Sequence, residues 1–496
     1  MLKRKIIWLN LDELCYTHWY AFCHAARKTF SNVKSAMAEQ WLEDSDIFND
    51  PRDIRTKAPI NVGKKQVDPF LDTIEEAEMF LGFLDTVFLV SYAIGLYVCG
   101  VLGDRINMRN LLVFGMTTSA IMMFMFGTVS EWLQYYNRIY YTLFWILNGF
   151  FQGTTWPILV AIMGNWYGLT RRGLIFGLWS SSASIGNIIG AFSVSMSINV
   201  GYQYAFLTTS AFLIIWSVII HIPEPYSHRC RTRRWSRGGR RKIRTIIQLS
   251  GDESEESPLT VPISTEPIGF IEALLMPGVV LYSISFGFLK MVHYSILFWL
   301  PFYLTSSFLW SDVKSSRYSM FYDIGGIPGG TLGGLFTDFA GRRVAVVMAM
   351  LILSMISLFG YNFIEDDELW NGLGMLVVGF FVCGVTHVVS SVVVADLGQQ
   401  DAIKRKNKEA LSTVTGIVDG TGTIGAAIGQ IIIPLLLVSS GWESVFYFLT
   451  IMLGCFFPCS ASSSTRIHQL SCEGKPHEQT EITFRDLNFK SFVEKI

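Results

Sequence analysis

Residues 172–190 read RGLIFGLWSSSASIGNIIG, and residues 411–429 read LSTVTGIVDGTGTIGAAIG. Three glycines recur between the two stretches with the same 9-then-4 spacing: Gly177, Gly186 and Gly190 in the first, and Gly416, Gly425 and Gly429 in the second. Small residues at this kind of spacing in apolar segments allow helices to pack closely. The pattern therefore predicts that the chain contains two copies of one apolar helical unit.

The composition places most of the chain in a membrane. Of 496 residues, 51% are hydrophobic and only 16% are charged, which excludes an ordinary soluble enzyme. The net charge of -1 gives no basis for nucleic-acid binding. The eight cysteines include no Cys-x-x-Cys pair, so we expect neither a metal site nor a disulfide framework, and we expect no cofactor.

Twelve segments are long and apolar enough to span a bilayer, which requires about 20 apolar residues per helix. They lie near residues 6–34, 82–103, 111–129, 139–163, 174–197, 203–222, 279–304, 320–337, 344–361, 373–394, 411–438 and 442–458. Six spans fall in each half of the chain. The sequence therefore predicts an all-α membrane protein with 12 transmembrane helices in two pseudo-symmetric six-helix bundles.

The predicted organisation has an N-terminal bundle, a linker, a C-terminal bundle and a tail. These parts cover residues 1–222, with a luminal loop at about 39–79, then residues 223–270, 271–458 and 459–496. Lys and Arg concentrate in alternate loops on the side shared with the N-terminus, so the positive-inside rule assigns both termini and the linker to the cytosol. The basic linker is expected to fix this topology, and contact with anionic lipid head groups is the alternative.

A second motif repeats between the halves, each time just after a long hydrophobic segment. Gly100, Asp104 and Arg109 recur as Gly334, Asp338 and Arg343. These charged residues fall at predicted cytosolic helix ends and not in the membrane core. We therefore predict that the cluster holds the cytosolic face closed and does not bind substrate: Asp104, Arg105, Arg109, Asp338, Arg342 and Arg343.

Several ionisable side chains fall inside the predicted spans. A charge at the bilayer centre costs roughly 2.5–3.5 kcal/mol on insertion scales, so such residues usually face a cavity or a partner. His24, Arg27 and Lys28 lie in the first span, and Lys290 and His293 lie one turn apart in the seventh. Guanidinium and ammonium groups that face each other suit a small dianion such as phosphate or a phosphate ester. These five residues form the predicted substrate-binding site.

The sequence leaves a structural alternative open for these cations. The acids Asp85, Asp323, Asp396 and Asp419 also lie in or beside the spans, and each could pair with a cation to hold helices in register. We nevertheless expect an empty carrier to leave Arg27 and Lys290 facing each other in a low dielectric, which disfavours crossing without a bound anion. The pattern therefore predicts obligate exchange by alternating access.

Residues 420–425 match the Gly-x-Gly-x-x-Gly fingerprint of dinucleotide-binding sites. That fingerprint requires a strand before it and a helix after it. Here the run lies inside an apolar span and partly repeats at Gly186 and Gly190. We therefore interpret it as a helix-packing surface and not as a phosphate-binding loop.

These residues, with several others, resemble a known family. The run from Gly100 to Arg109 is similar to the major facilitator signature between the second and third helices. A narrower set resembles the organophosphate:phosphate antiporter family: His24, Arg27 and Lys28, Asn148 with Gly149, Trp156 with Pro157, residues 299–303 and residues 419–427. Residues 26–34 and 80–86 resemble one animal subtype of this family most closely.

The resemblance implies a major facilitator fold and exchange of a phosphate ester, such as a sugar phosphate or glycerol phosphate, for inorganic phosphate. It also implies an endomembrane location, with the endoplasmic reticulum expected and the lysosome as the alternative. Arg27 falls on the family's phosphate-binding arginine, His293 on a second arginine, and Lys290 on a lysine of animal relatives. Leu96 and Ala183 stand where bacterial relatives have a lysine and a histidine.

Two other functions are open on the sequence. A proton-coupled anion symporter would use His24, His293 or Asp85 as the proton carrier, and acid-driven uptake without a counter-anion would favour it. A non-transporting scaffold with an accessory membrane subunit is the second alternative. It is motivated by the missing lysine and histidine at Leu96 and Ala183, and by the polar Asn10, Asp12 and Glu13, which interrupt the first span. Partner co-purification without phosphate binding would favour that function.

Overall fold

The computed structural model describes residues 2–42, 70–166, 172–221, 266–340, 343–398 and 408–473. Most of the predicted luminal loop, nearly all of the predicted linker and the end of the polar tail lie outside these residues. Arg342 also lies outside them, and the side chains of Arg343 and Asp396 are not described.

Six helices form the N-terminal half: α1 (Leu2–Trp41), α2 (Ile74–Gly103), α3 (Met108–Trp132), α4 (Arg138–Gln152, continued by Thr155–Trp166), α5 (Arg172–Ser180, continued by Ser182–Ser197) and α6 (Tyr202–His221). α3 contains a π-helical turn at Met125–Val129. The polar residues that follow Asn10 do not interrupt α1, which is continuous from Leu2 to Trp41.

Six further helices form the C-terminal half: α7 (Val279–Phe308), α8 (Asp312–Ala340), α9 (Arg343–Tyr361), α10 (Glu368–Val378 through Val394–Leu397), α11 (411–440) and α12 (442–473). The backbone of Gly441 has a φ of 73°, and this kink separates α11 from α12. A short helix, Phe270–Leu274, precedes α7. The two-residue strands β1 (Glu266–Pro267) and β2 (Lys408–Glu409) pair in parallel.

The helices agree with the predicted twelve spans. Within the described residues, nine helices are long and apolar enough to cross a membrane, and one of these, Leu411–Phe456, contains both α11 and the start of α12. The nine do not include α1 and α8, which carry polar and charged side chains that the bundle interior buries. A search by length and apolarity alone therefore misses α1 and α8, which supply many of the buried polar and charged side chains.

Side-chain caps determine where several helices begin. The hydroxyl of Thr73 accepts a hydrogen bond from the third residue of α2, and the amide oxygen of Asn137 accepts from the first turn of α4. Asp367 caps α10 in the same way, through the backbone N–H of Trp370 at 2.9 Å. These caps satisfy N–H groups that have no partner within the helix itself.

The repeated glycines occupy equivalent places in the two halves. A Cβ atom on Gly186 of α5 would lie 1.9 Å from the carbonyl oxygen of Ala21 in α1, and one on Gly425 of α11 would lie 2.6 Å from the Cα of Gly287 in α7. Only glycine permits these two close helix contacts, one within each bundle. The glycines that repeat in the sequence therefore make equivalent close contacts between helices in the two bundles.

The first glycine of each repeat serves a different contact, between the bundles. A Cβ on Gly177 would lie 2.5 Å from the carbonyl oxygen of Gly330 in α8, and one on Gly416 would lie 2.5 Å from that of Leu96 in α2. Helix pairs α5–α8 and α2–α11 thus approach closely across the interface between the halves. Helices α1 and α7, which carry the predicted substrate-binding residues, contact each other directly across this interface through Arg27 and Tyr294.

Candidate functional site

Arg27 lies in the middle of α1 and reaches across to the second bundle. Its side chain is 3% exposed. The Nη1 group donates a hydrogen bond to the hydroxyl of Tyr294 in α7 at 2.6 Å, and Nη2 donates to Oε1 of Gln152 in α4 at 3.3 Å. The guanidinium also lies over the ring of Tyr92 in α2, 4.5 Å from its centroid. Three helices of one bundle and one of the other therefore surround this cation.

The Arg27 guanidinium has spare hydrogen-bonding capacity. Among the described residues no carboxylate forms an ion pair with it, and its Nε has no hydrogen-bond partner. The amide nitrogen of Asn148, one turn before Gln152 in α4, is also buried without a partner in this part of the chain. A buried charge without a counter-ion is costly. The arrangement is therefore suited to an anion that accepts several hydrogen bonds.

Lys290, the predicted cation of the second half, is already neutralised. Its ammonium lies 2.8 Å from Oδ2 of Asp419 in α11, 2.9 Å from the hydroxyl of Thr423 and 3.2 Å from the Asp419 carbonyl oxygen. An ammonium has three donors, so these three acceptors use its full capacity. In this state Lys290 joins α7 to α11.

The pairing of Lys290 changes the expectation about an empty carrier. The sequence predicts that Arg27 and Lys290 face each other as bare cations in the empty carrier, with repulsion between them as the cause of obligate exchange. The structure contradicts that premise, because Asp419 cancels the charge of Lys290. Of the two cations, Arg27 and Lys290, only Arg27 has no acidic partner among the described residues. The prediction that Lys290 binds substrate directly stays a prediction.

Lys28 lies next to Arg27 but makes a different contact. Its ammonium is fully buried and donates to the carbonyl oxygen of Leu297 in α7 at 2.9 Å, while the hydroxyl of Ser31 donates to the same oxygen at 2.7 Å. This carbonyl lacks its usual helical donor, because the residue four positions later is Pro301, which has no N–H group. The proline therefore creates the acceptor through which α1 contacts α7.

A buried ion pair lies further along α1. Lys34 pairs with Asp85 of α2, and both side chains are at most 1% exposed. The Lys34 ammonium also lies 4.1 Å from the ring centroid of Trp299 in α7, an attractive position for a cation. Asp85, one of the predicted intramembrane acids, thus has a cationic partner that was not among the predicted site residues.

The predicted histidines belong to two buried polar groups. His24 lies 3.3 Å from Asn187 of α5, whose amide nitrogen donates to Asp323 of α8 at 2.7 Å. His293 lies 2.8 Å from the hydroxyl of Tyr322 in α8. The ring centroids of His293 and His387 of α10 are 6.5 Å apart. Through these contacts the first group joins α1, α5 and α8, and the second joins α7 to α8.

The repeated acidic motif links the bundles at the predicted cytosolic face. The carboxylate of Asp104 accepts hydrogen bonds from the backbone of Thr413 at 2.9 Å and from its hydroxyl at 2.6 Å, in the first turn of α11. Asp338 accepts from the backbone of Gly173 at 3.0 Å and of Leu174 at 2.9 Å, in the first turn of α5. Each acid thus caps a helix of the other bundle, where a negative charge is favoured.

The basic residues of this motif are predicted to share the closure role. The guanidinium of Arg109 donates to the carbonyl oxygen of Ile220 at the end of α6, within its own bundle, through Nε at 2.7 Å. Arg105 is exposed. The equivalents Arg342 and Arg343 fall on undescribed positions or side chains. Among the described contacts, those of Asp104 and Asp338 give the predicted closure role a geometric basis. The closure role of the basic residues stays a prediction.

Removing either acid is expected to favour opening of this face. Alanine at Asp104 or Asp338 deletes a cap, and caps contribute about 1 kcal/mol, up to 2, which is a factor of about 5–30 in an equilibrium. Labelling of a cysteine placed at Ser412, which is buried in α11, should accelerate by that factor in each variant. Asp367→Ala is the matched control, because Asp367 caps α10 within one bundle. Equal labelling rates in all variants would contradict a closure role.

Several residues around Arg27 were not predicted as site residues. Tyr294, Gln152, Tyr92 and Asn187 are neutral, so a search for charges inside apolar spans does not select them. A weaker signal was present, because Asn148 and Gln152 are polar residues one helical turn apart in an otherwise apolar segment. Polar side chains inside membrane spans usually line functional surfaces or join helices.

Comparison with known proteins gives a consistent result. The family model of the Major Facilitator Superfamily matches residues 69–405. A sugar phosphate exchanger 3 from Xenopus laevis is 43% identical over 88% of each chain. A glucose-6-phosphate exchanger from Mus musculus is 33% identical over 89% of each chain.

A solved structure with a similar fold is the crystal structure of a D-xylose-proton symporter. Its TM-score to this chain is 0.59, and the match covers 92% of this chain and 96% of the symporter. Sequence identity is 14%, so the similarity concerns the fold alone. The arrangement of twelve helices in two halves agrees with it.

Proposed function

Because this chain belongs to the major facilitator superfamily and to its sugar phosphate exchangers, we propose that it exchanges a phosphate ester for inorganic phosphate across a membrane. The observation that carries the proposal is the Arg27 guanidinium, buried between the halves without an acidic partner among the described residues. A phosphoryl group supplies the missing negative charge and can accept from two guanidinium nitrogens at once.

The residues around Arg27 define the proposed phosphate-binding site. Tyr294 and Gln152 already orient the two terminal nitrogens, at 2.6 Å and 3.3 Å. Unpartnered donors remain on Arg27 and on Asn148, whose amide oxygen accepts a hydrogen bond from Gln152. Orientation before binding reduces the entropy cost of capturing the anion. Lys28 adds positive potential nearby, and its hydrogen bond to Leu297 joins α1 to α7. Lys290, neutralised by Asp419, joins α7 to α11.

The proposed mechanism is alternating access, in which the two bundles rock about the Arg27 site. On the predicted cytosolic face, opening requires the caps from Asp104 to α11 and from Asp338 to α5 to separate. On the opposite side of the site, it requires Lys28 and Ser31 to leave the Leu297 carbonyl. A bound anion neutralises Arg27, so the loaded carrier can rearrange without exposing a bare buried charge.

The cellular placement is part of the same proposal. The loop charges support cytosolic termini and a cytosolic linker between two six-helix halves. A location in the endoplasmic reticulum, with the lysosome as the alternative, rests on the family resemblance. In that orientation we expect the basic linker to fix the topology from the cytosolic side, with contact to anionic lipid head groups as the alternative. An accessory membrane subunit stays a prediction.

Exchange is tested directly with purified protein in liposomes loaded with labelled phosphate. We expect release of label when phosphate or a phosphate ester is present outside and little release into plain buffer, because an empty site retains the uncompensated Arg27 charge. Protein-free liposomes provide the baseline. Equal release with and without an external anion would contradict exchange. Release driven only by an acidic interior, without any external anion, would favour proton-coupled symport.

A further inference from the structure

A chain of three buried side chains crosses the interface between the bundles beside Arg27. His24 contributes Nδ1, which lies 3.3 Å from Oδ1 of Asn187, and Asn187 donates through Nδ2 to Oδ1 of Asp323 at 2.7 Å. Their side chains are 5%, 1% and 0% exposed. His24 precedes Arg27 by three positions on α1, so the two side chains lie on the same face of that helix.

Both ends of this chain carry a polar atom without a partner. Among the described residues, Nε2 of His24 and Oδ2 of Asp323 are buried and form no hydrogen bond. The Ser184 hydroxyl and the Lys28 ammonium are the other polar groups that act on the Asp323 carboxylate. Leaving such atoms unsatisfied is costly, and native proteins rarely do so without a reason. Two unsatisfied atoms joined through one amide indicate a missing ligand more strongly than one isolated atom would.

The hydrogen-bond directions identify both free atoms as acceptors. The Asp323 carboxylate accepts from Asn187, so the amide nitrogen faces Asp323 and the amide oxygen faces His24. Nδ1 of His24 must therefore carry the proton, and Nε2 of the neutral ring is an acceptor. Oδ2 of the carboxylate is an acceptor as well. The matching ligand group is therefore a donor.

These acceptors contrast with the donors around Arg27. A phosphate ester dianion has no O–H group on its phosphoryl oxygens and would be repelled by the Asp323 carboxylate, whereas sugar and glycerol hydroxyls can donate to both free atoms. We propose that His24, Asn187 and Asp323 form a hydroxyl-binding subsite for the organic part of the substrate. The inference rests on the proposed function and specifies that substrate as a phosphate monoester of a polyol.

The subsite also assigns an orientation to the substrate. The phosphoryl group lies at Arg27, on the side of Tyr294 and Gln152, and the hydroxyl-bearing carbons point towards α5 and α8, which hold Asn187 and Asp323. Inorganic phosphate occupies the first position only. The same site can therefore accept both exchange partners while reading the organic group through separate residues.

The experiment compares three inhibitors of labelled phosphate self-exchange: inorganic phosphate, glycerol 3-phosphate and propyl phosphate, which lacks both hydroxyls. The unaltered protein should bind glycerol 3-phosphate about tenfold more tightly than propyl phosphate, since hydroxyl donors satisfy the buried acceptors. In Asp323→Asn and in Asn187→Ala this preference should fall to about twofold or less. In both variants the inhibition constant of inorganic phosphate should change less than that of glycerol 3-phosphate.

Ser354→Ala is the matched control, because Ser354 is a buried hydroxyl of α9 that bonds only to Met350 in the described structure. It should retain the tenfold preference. The proposal is overturned if the unaltered protein shows no preference, if both variants keep it, or if all three inhibitors weaken equally, which would indicate a structural role.

The two variants are independent, so the test remains decisive if one of them fails to fold. Asn187→Ala interrupts the hydrogen bonds between His24 and Asp323 without changing a charge. Failure of the broader transport proposal gives a different result: labelled phosphate would not exchange in any variant, including the unaltered protein. Loss of hydroxyl discrimination with phosphate inhibition retained is the outcome that supports the subsite.

Discussion

Replacing Arg27 with alanine is expected to abolish phosphate exchange while leaving the protein folded. The guanidinium makes its two hydrogen bonds to neutral side chains, Tyr294 and Gln152, so its loss leaves no partner charge unpaired. A bidentate charge-assisted contact to a phosphoryl group contributes several kcal/mol, and each 1.4 kcal/mol is a factor of ten. We expect phosphate affinity, measured by calorimetry and by labelled exchange, to fall at least ~100-fold.

Two further substitutions distinguish charge from geometry at this position. Arg27→Lys keeps the charge but loses the planar pair of donors, so exchange should return only in part. Arg138→Ala is the matched control, because Arg138 is 53% exposed in a surface ion pair with Glu76. Its exchange rate should remain close to that of the unaltered protein. Normal phosphate affinity in folded Arg27→Ala protein would remove Arg27 from the binding site.

Much of the fold could be predicted because its determinants are periodic and local. Twelve apolar segments, their charged loops and the repeated glycines are properties of the sequence alone. Gly186 and Gly425 indicated close helix contacts, and the structure adds which helices they meet. The partner helices could not be derived, because spacing within one segment does not determine the neighbour against which that segment packs.

The candidate site was predictable in its residue types but not in its pairing. Arg27 and Lys290 are both cations buried within apolar spans, and several acids were available as partners. Their states differ because Asp419 lies opposite Lys290 across the α7–α11 contact, whereas neutral side chains surround Arg27. A distance of a few ångströms between helices decides this, and the sequence contains no such distance.

The Lys28 contact is an intermediate case. Pro301 follows Leu297 by four positions, so a free carbonyl at Leu297 follows from the sequence once α7 is known to be helical. The donors that satisfy it, Lys28 and Ser31, come from the other bundle. An unsatisfied group can therefore be located from the sequence, while its partner requires the tertiary structure. The neutral residues of the proposed hydroxyl subsite are hidden for the same reason.

Breaking the Lys290–Asp419 pair is expected to destabilise the protein more than removing both charges together. Asp419→Asn leaves the buried ammonium without its counter-ion, and Lys290→Gln leaves a buried carboxylate unpaired. Loss of one partner of a buried pair costs about 3–5 kcal/mol. Each single variant should therefore unfold at a clearly lower temperature in detergent, whereas the double variant should recover much of the loss because no net charge remains buried.

The double variant also decides the role of Lys290 in binding. All three donors of its ammonium are used by Asp419 and Thr423. We therefore expect the phosphate affinity of the folded double variant to lie within about tenfold of that of the unaltered protein. A folded double variant that binds no phosphate would instead mean that Lys290 leaves Asp419 to contact the anion. Additive destabilisation of the two single changes would indicate that the pair contributes no coupling energy. Because Arg27 remains in place in every variant, the comparison separates the charge that binds the anion from the charge that joins α7 to α11.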